Sequence, residues 1–221
     1  MLYCDRLTKR YSHGHPALTN ISFQLSEGQI CCVTGPSGAG KSTLLRLVMG
    51  LERPTAGQII YRGVNLARLA QRKMPFHRRR CGLVAQENHL LAERTLFDNV
   101  ALPLLVCGVP HRQIGRRVRA ALDRVGLLGR EKQRAAQLSA GEQRRASIAR
   151  AVVHQPELLL ADEPTANLDP EQSASMMRLL ADFNAAGASV LIATQDPNPV
   201  APLGGTEIRL AAGRLCTAPA G

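Results

Sequence analysis

Ile30-Cys31-Cys32-Val33-Thr34-Gly35-Pro36-Ser37-Gly38-Ala39-Gly40-Lys41-Ser42-Thr43 is the stretch that decides the fold. Residues 30–34 form a continuous, mostly apolar run, the pattern of a strand covered on both faces. Lys41 opens a helical pattern that glycine ends at position 50. Between strand and helix stands glycine, four residues, then Gly-Lys-Ser, and this context makes the spacing specific for phosphate. Glycines let successive backbone N–H groups turn toward phosphate oxygens with no Cβ in the way. The helix N-terminus adds a dipole that favours the anion. Residues 35–43 are therefore expected to cradle a nucleoside triphosphate, with Lys41 bridging the β- and γ-phosphates and Ser42 ligating Mg²⁺.

Working outward, residues 2–7, 21–25 and 58–61 have the alternation of half-buried strands, and 81–85, 158–161 and 190–193 are short apolar runs. Ile114, Val118, Ala121, Leu122 and Val125 fall at helical spacing, as do Met176, Met177, Leu180 and Phe183. Residues 207–210 and 214–216 flank Ala-Ala-Gly and predict a terminal hairpin. Strands alternating with helices predict a single α/β domain over residues 1–221 with a mainly parallel core sheet. An antiparallel β subdomain is expected over about 1–30 and 56–66, a helical subdomain over about 88–150, and the hairpin over about 206–216. The tail, 217–221, is expected to fray.

Composition narrows the classes. The net charge of +11 rests on 24 arginines and four lysines, yet aromatics are 3% and tryptophan is absent. That leaves no stacking platform for single-stranded nucleic acid, so the charge is read as a mostly solvated basic surface and no nucleic-acid partner is expected. No apolar run approaches the ~20 residues that span a bilayer; the longest, 100–107, is short and holds Pro103. The N-terminus lacks the pattern of a secretory signal. The cysteines at 4, 31, 32, 81, 107 and 216 have no CxxC spacing, and Cys31 and Cys32 read as small buried hydrophobes in a reducing cytosol. The histidines at 13, 15, 77, 89, 111 and 154 are each expected at the surface or in loops.

Two further motifs carry chemistry. Leu158-Leu159-Leu160-Ala161-Asp162-Glu163 reads as a buried strand delivering two carboxylates, Asp162 to hold Mg²⁺ and Glu163 to polarise the attacking water as general base. Leu138-Ser139-Ala140-Gly141-Glu142-Gln143 lies about a hundred residues after the glycine loop and directly before a basic helix. In this order the motifs resemble those of the ATP-binding-cassette (ABC) ATPases, whose signature is LSGGQ or LSGGE. The resemblance spans roughly residues 2–216. It implies a P-loop NTPase core and an ATP-dependent homodimer in which Ser139, Ala140, Gly141 and Glu142 of one subunit close over the ATP of the other. It further implies that Tyr11 stacks on adenine, that Gln86 touches Mg²⁺ and water, and that Asn167-Leu168-Asp169 lies along the dimer interface.

Two departures from the family pattern stand out. Ala140 occupies a common glycine position, which is tolerable if its φ is negative. Gln195, in Ala193-Thr194-Gln195-Asp196, stands where the family has its switch histidine. Its amide can donate a hydrogen bond but cannot carry a proton, so hydrolysis is expected to be slow. The catalytic set on this reading is Glu163, Lys41, Gln86 and Gln195; Ser42, Gln86 and Asp162 arrange the metal.

Residues 75–82, Gln86-Glu87-Asn88-His89-Leu90-Leu91 and Asp182-Phe183-Asn184-x-x-Gly187 are similar to the cell-division branch of the family. That branch implies an FtsX-like integral membrane partner, a place on the cytoplasmic face of the bacterial inner membrane at the division septum, and control of septal peptidoglycan hydrolases. Branches for lipoprotein release and macrolide efflux share the fold and many motifs. The partner's helix is expected to dock at 87–110, where Leu90, Leu91, Leu102, Leu104 and Leu105 either form a groove or, for most of them, pack the helical subdomain.

Overall fold

The computed structural model describes residues 1–12, 15–198 and 200–216; His13 and the tail expected to fray, 217–221, lie outside them. Strands β3 (Ile30–Thr34), β6 (Cys81–Val84), β7 (Leu158–Asp162) and β8 (Ser189–Thr194) pair in parallel in the order β3-β8-β7-β6. β9 (Thr206–Ala211) adds in parallel beside β3, and β10 (Arg214–Leu215) returns antiparallel to it. The terminal hairpin thus extends the central sheet. Every residue of β3 and β8 is buried, as two-sided coverage requires. Cys31, Val33, Leu158, Leu160 and Leu191 face one core, and Ile30, Cys32, Leu159, Ala161 and Ile192 face the other. Cys31 and Cys32 are free thiols, pushed up by burial to about 12 and about 11, so they act as packing groups.

The first core lies under an antiparallel sheet of order β2-β1-β4-β5, built from β1 (Leu2–Lys9), β2 (Leu18–Leu25), β4 (Ala56–Tyr61) and β5 (Val64–Asn65), together with helix α1 (Lys41–Val48). Strict alternation would turn Leu7 away from Leu2 and Cys4, yet all three are buried. A register shift between Cys4 and Leu7, with Arg6 at φ 46, resets the pleat, and Asn20 at φ 55 marks the matching irregularity in β2. The second core is filled by α3 (Leu96–Val106), α4 (His111–Arg124), α5 (Ala140–Val152) and α6 (Pro170–Ala185). α4 buries Ile114, Val118, Ala121 and Leu122 and leaves its arginines to solvent or to partly buried positions.

Two expectations need correction. His77, on the short helix α2 (Met74–Arg78), is buried, not at the surface. Its Nε2 lies 2.8 Å from the carbonyl of Val48 at the end of α1, and its ring meets Tyr61 edge-on at 5.0 Å. The unpartnered carbonyls of a helix end recruit a ring N–H. Leu104 is fully buried between helices, so it belongs to the core and not to a docking groove; Leu90 also packs against the core, Leu102 is half-buried, and only Leu91 and Leu105 are exposed.

Candidate nucleotide-binding site

The carboxyl ends of the four parallel strands converge, the usual place for a ligand in an open α/β sheet. β3 ends in the glycine loop, β8 in Gln195, β7 in Asp162 and Glu163, and β6 in Ala85 and Gln86. Gly35 (φ 148) and Gly40 (φ 100) adopt backbone that side chains rarely tolerate, and a Cβ on either would strike a carbonyl, of Leu210 or of Ala17. Gly40 caps α1 without a side-chain acceptor, so the first N–H groups of the helix remain free for an anion.

The loop's cation is already engaged. Lys41 is 6% exposed; its Nζ donates to the carbonyls of Gly35 (2.8 Å) and Pro36 (3.1 Å) and pairs with Glu163 Oε1 at 3.3 Å. Glu163 is 7% exposed and held at φ 46, in the left-handed region, where a non-glycine residue stores strain. The backbone N–H of Gln195 donates to Glu163 Oε2 at 3.0 Å, and the Glu163 N–H donates to the Ala193 carbonyl at 2.8 Å. The carboxylate is thereby aimed between loop and switch position. Ser42 Oγ donates to Asp162 Oδ1 at 3.0 Å. Burial pushes the Asp162 carboxyl above its ordinary range, Ser42 pulls it back, and the neighbouring Glu163 raises it further. A hydroxyl facing a carboxylate, both oxygen donors beside a phosphate cradle, fits Mg²⁺, which takes one or two protein oxygens and completes its shell with phosphate and water. Among the described residues no cluster of three or more His, Cys, Asp or Glu could hold a metal on its own.

The remaining residues singled out above stand apart from the loop. Among the described residues no hydrogen bond or ion pair links Tyr11, Gln86, Ser139–Glu142 or Asp169 to positions 35–43. Tyr11 is 44% exposed; its hydroxyl donates to Glu52 Oε2 (2.8 Å), and Lys9 Nζ lies 4.9 Å from the ring centroid. Gln86 is exposed on the chain leaving β6. Ser139 caps α5 in a reciprocal box: Glu142 N–H donates to Ser139 Oγ, and Ser139 N–H donates to Glu142 Oε2 at 2.9 Å. The backbone bond from Ser139 first holds the Glu142 carboxyl below its usual range. Ala140 is the first helical residue and has no positive φ, which satisfies the condition for alanine there. Asp169 caps α6 through the Gln172 N–H at 2.8 Å, and a Cβ on Gly141 would lie 3.3 Å from Gln172 Oε1. The signature and residues 167–169 therefore share one surface.

Two residues that sequence reasoning missed are Arg144 and Arg150 on α5. Arg144 Nη1 donates to the Ala85 carbonyl at 2.7 Å, and Arg150 donates to the carbonyls of His89 (2.7 Å) and Asn88 (2.6 Å). A signal existed: Arg144 falls in line with Ile148, Ala151 and Val152 on the apolar face, where a charge needs a partner.

A phosphate loop, a hydroxyl–carboxylate pair and a poised glutamate define a P-loop nucleoside triphosphatase. Comparison with known proteins is in accord. The family described as ABC transporter matches residues 18–166. The cell division ATP-binding protein FtsE of Escherichia coli K12 is 50% identical over 198 residues, covering 90% of this chain and 89% of that protein. FtsE of Mycobacterium tuberculosis is 42% identical over 216 residues, covering 97% and 94%. The dimeric post-hydrolysis structure of the ATP-binding cassette MJ0796 bound to ADP and Pi superposes with a TM-score of 0.91 at 31% identity, covering 98% of this chain and 97% of that one. The chain belongs to the ABC transporter ATPase family, on its FtsE-like branch.

Proposed function

We propose that this chain is the ATP-binding and ATP-hydrolysing subunit of a cell-division complex. It closes into a head-to-tail dimer on ATP and drives an FtsX-like integral membrane partner. One observation carries the dimer: the Ser139–Gly141 helix end is fully formed and capped, yet among the described residues it makes no hydrogen bond or ion pair with its own phosphate loop. Within each site Lys41 and the loop N–H groups neutralise phosphate charge, Ser42, Gln86 and Asp162 arrange Mg²⁺, and Glu163 orients and deprotonates water. The chemistry Mg²⁺ supplies when bound is screening of phosphate charge. Tyr11, with Lys9 on one face, offers the other to adenine, and Asp169 orders the interface segment. The helical region over about 88–150 would form the transmitting subdomain.

On this reading the partner docks beside the helical region, away from the buried Leu104. An open cleft of about 370 Å³ lies between α2, β6 and α3, lined by Met49, Pro75, Leu83, Pro103, Val106 and His154. Val106, which lines the cleft, and Phe76, next to the lining Pro75, are each 63% exposed. No helix among the described residues is long and apolar enough to cross a membrane, so attachment at the cytoplasmic face of the inner membrane, at the septum, would run through the partner; the output would be septal peptidoglycan remodelling. Size-exclusion chromatography of Glu163→Gln with ATP and Mg²⁺ tests the reading: a dimer that dissolves on removing ATP supports it, and a monomer at high concentration overturns it. A second reading, an ATP-dependent scaffold with weak hydrolysis, is favoured by Gln195. Steady-state ATPase measured with the membrane partner separates the two.

A further inference from the structure

We propose that Arg144 is a positioning residue that sets Gln86 at the metal edge of the site from the signature helix. Arg144 is 6% exposed and has no carboxylate within 4 Å among the described residues. Burying an unpaired guanidinium costs stability, and the space could be filled by an apolar side chain, as Ile148 fills the next turn of the same face. What the charge holds is the carbonyl of Ala85, at 2.7 Å. That carbonyl and the amide nitrogen of Gln86 belong to one rigid peptide plane, so fixing the oxygen fixes the direction in which Gln86 leaves β6. Arg150, six residues along α5, fixes the far end of the same segment through Asn88 and His89. Gln86 and Glu87 are the exposed residues between these two anchors, and Gln86 is the one joined directly to the Ala85 carbonyl. Among the described residues Arg144 makes no other side-chain hydrogen bond, and it lines a cavity of about 500 Å³ together with Gln86, Ala140, Gln143 and Asn167. Burial pulls the guanidinium's pKa down and Asp162 opposes this, which places its charge within the field of the metal carboxylate. Because α5 begins at the capped Ser139, Gln86 and the signature move as one body.

This inference rests on the reading of Gln86 as a residue that touches Mg²⁺, and the test separates the two. Thermal unfolding is followed with no nucleotide, with ATP and EDTA, and with ATP and Mg²⁺, in the full-length wild type, Arg144→Ala, Arg144→Met and Arg145→Ala. Methionine keeps the packed stem and removes only the donor, so it serves if alanine does not fold. In wild type, Mg²⁺ adds a further rise in Tm beyond that given by ATP with EDTA. Arg144→Ala and Arg144→Met keep the rise from ATP with EDTA and lose at least half of the Mg²⁺ increment, while the neighbouring Arg145→Ala keeps both. In steady-state hydrolysis the Mg²⁺ concentration for half-activation rises roughly tenfold in the Arg144 variants, as for loss of a group that orients a metal ligand, with the KM for ATP at saturating Mg²⁺ within about twofold. An unchanged Mg²⁺ increment in Arg144→Met overturns the inference. Loss of both increments together marks a structural role and overturns it equally. Absence of any Mg²⁺ increment in wild type overturns the reading of the site itself.

Discussion

Lys41 meets phosphate only by leaving other partners, and Glu163→Gln measures what it leaves. In the structure Lys41 and Glu163 pair at 3.3 Å, with side chains 6% and 9% exposed. Two unit charges at that separation attract by on the order of 5 kcal/mol at an effective dielectric of about 20, before either is desolvated. Desolvation removes most of this, and in the variant the carbonyls of Gly35 and Pro36, at 2.8 and 3.1 Å, still hold the ammonium. The net loss expected is therefore about 1.5–2 kcal/mol, below the 3–5 kcal/mol typical of a fully stranded buried charge. For a chain of 221 residues this lowers the Tm without nucleotide by about 3–8 °C. Bound phosphate takes over from Glu163, so the variant should bind ATP at least about tenfold more tightly, some 1.4 kcal/mol. Titration calorimetry in EDTA isolates binding from hydrolysis, and chemical denaturation of the unliganded protein gives the other arm. The two changes must agree. An ATP Kd within twofold of wild type refutes the competition. Tighter binding without loss of unliganded stability means that only repulsion between Glu163 and phosphate was removed.

Gln195→His should raise kcat on the order of tenfold, measured with the membrane partner present, because a proton-carrying ring replaces an amide; its backbone hold on Glu163 is unaffected by the side chain. Ser139→Ala deletes the acceptor for the Glu142 N–H, lowering stability by about 1 kcal/mol in urea denaturation, and abolishes ATP-dependent dimerisation of a Glu163→Gln background by size-exclusion chromatography. The depressed Glu142 carboxyl contributes stability that is complete above its unfolded pKa and lost as pH falls through its lower folded value. Wild type should therefore exceed Glu142→Gln by about 0.5 kcal/mol at neutral pH, a margin that shrinks as denaturation is followed into acid below the usual carboxylate range.

What was legible in the chain is what local chemistry restricts. Glycines 35 and 40 adopt φ values of 148 and 100, a need that only glycine meets and that a sequence therefore displays. Asp162 and Glu163 follow an apolar strand because carboxylates at the end of a covered strand must serve something. Burial decided by distant partners was not legible. His77 sits in an arginine-rich stretch and reads as polar, but the end of α1, 29 residues earlier, offers it a carbonyl. α3 is apolar nearly all round, so its spacing cannot tell Leu104, in the core, from Leu105, in solvent. The bulge near Arg6 was half legible: Leu2, Cys4 and Leu7 break parity, and a strand that buries all three must slip.

Gln195 shows where the two kinds of information meet. Motif order alone points to this position as the switch, with glutamine in place of histidine. On the proposed reading this position would act twice, through its side chain and through the backbone N–H, which the structure shows donating to Glu163 Oε2 at 3.0 Å. Only the first role depends on residue type. A chain can therefore keep its glutamate aimed, and with it nucleotide binding and closure, while slowing the chemical step. Under the proposed function the output would be mechanical, and the time spent closed on ATP would be the quantity set by that exchange. The substitution at 195 would then tune a dwell time, and the tenfold response expected of Gln195→His should appear in turnover and not in the ATP Kd measured in EDTA.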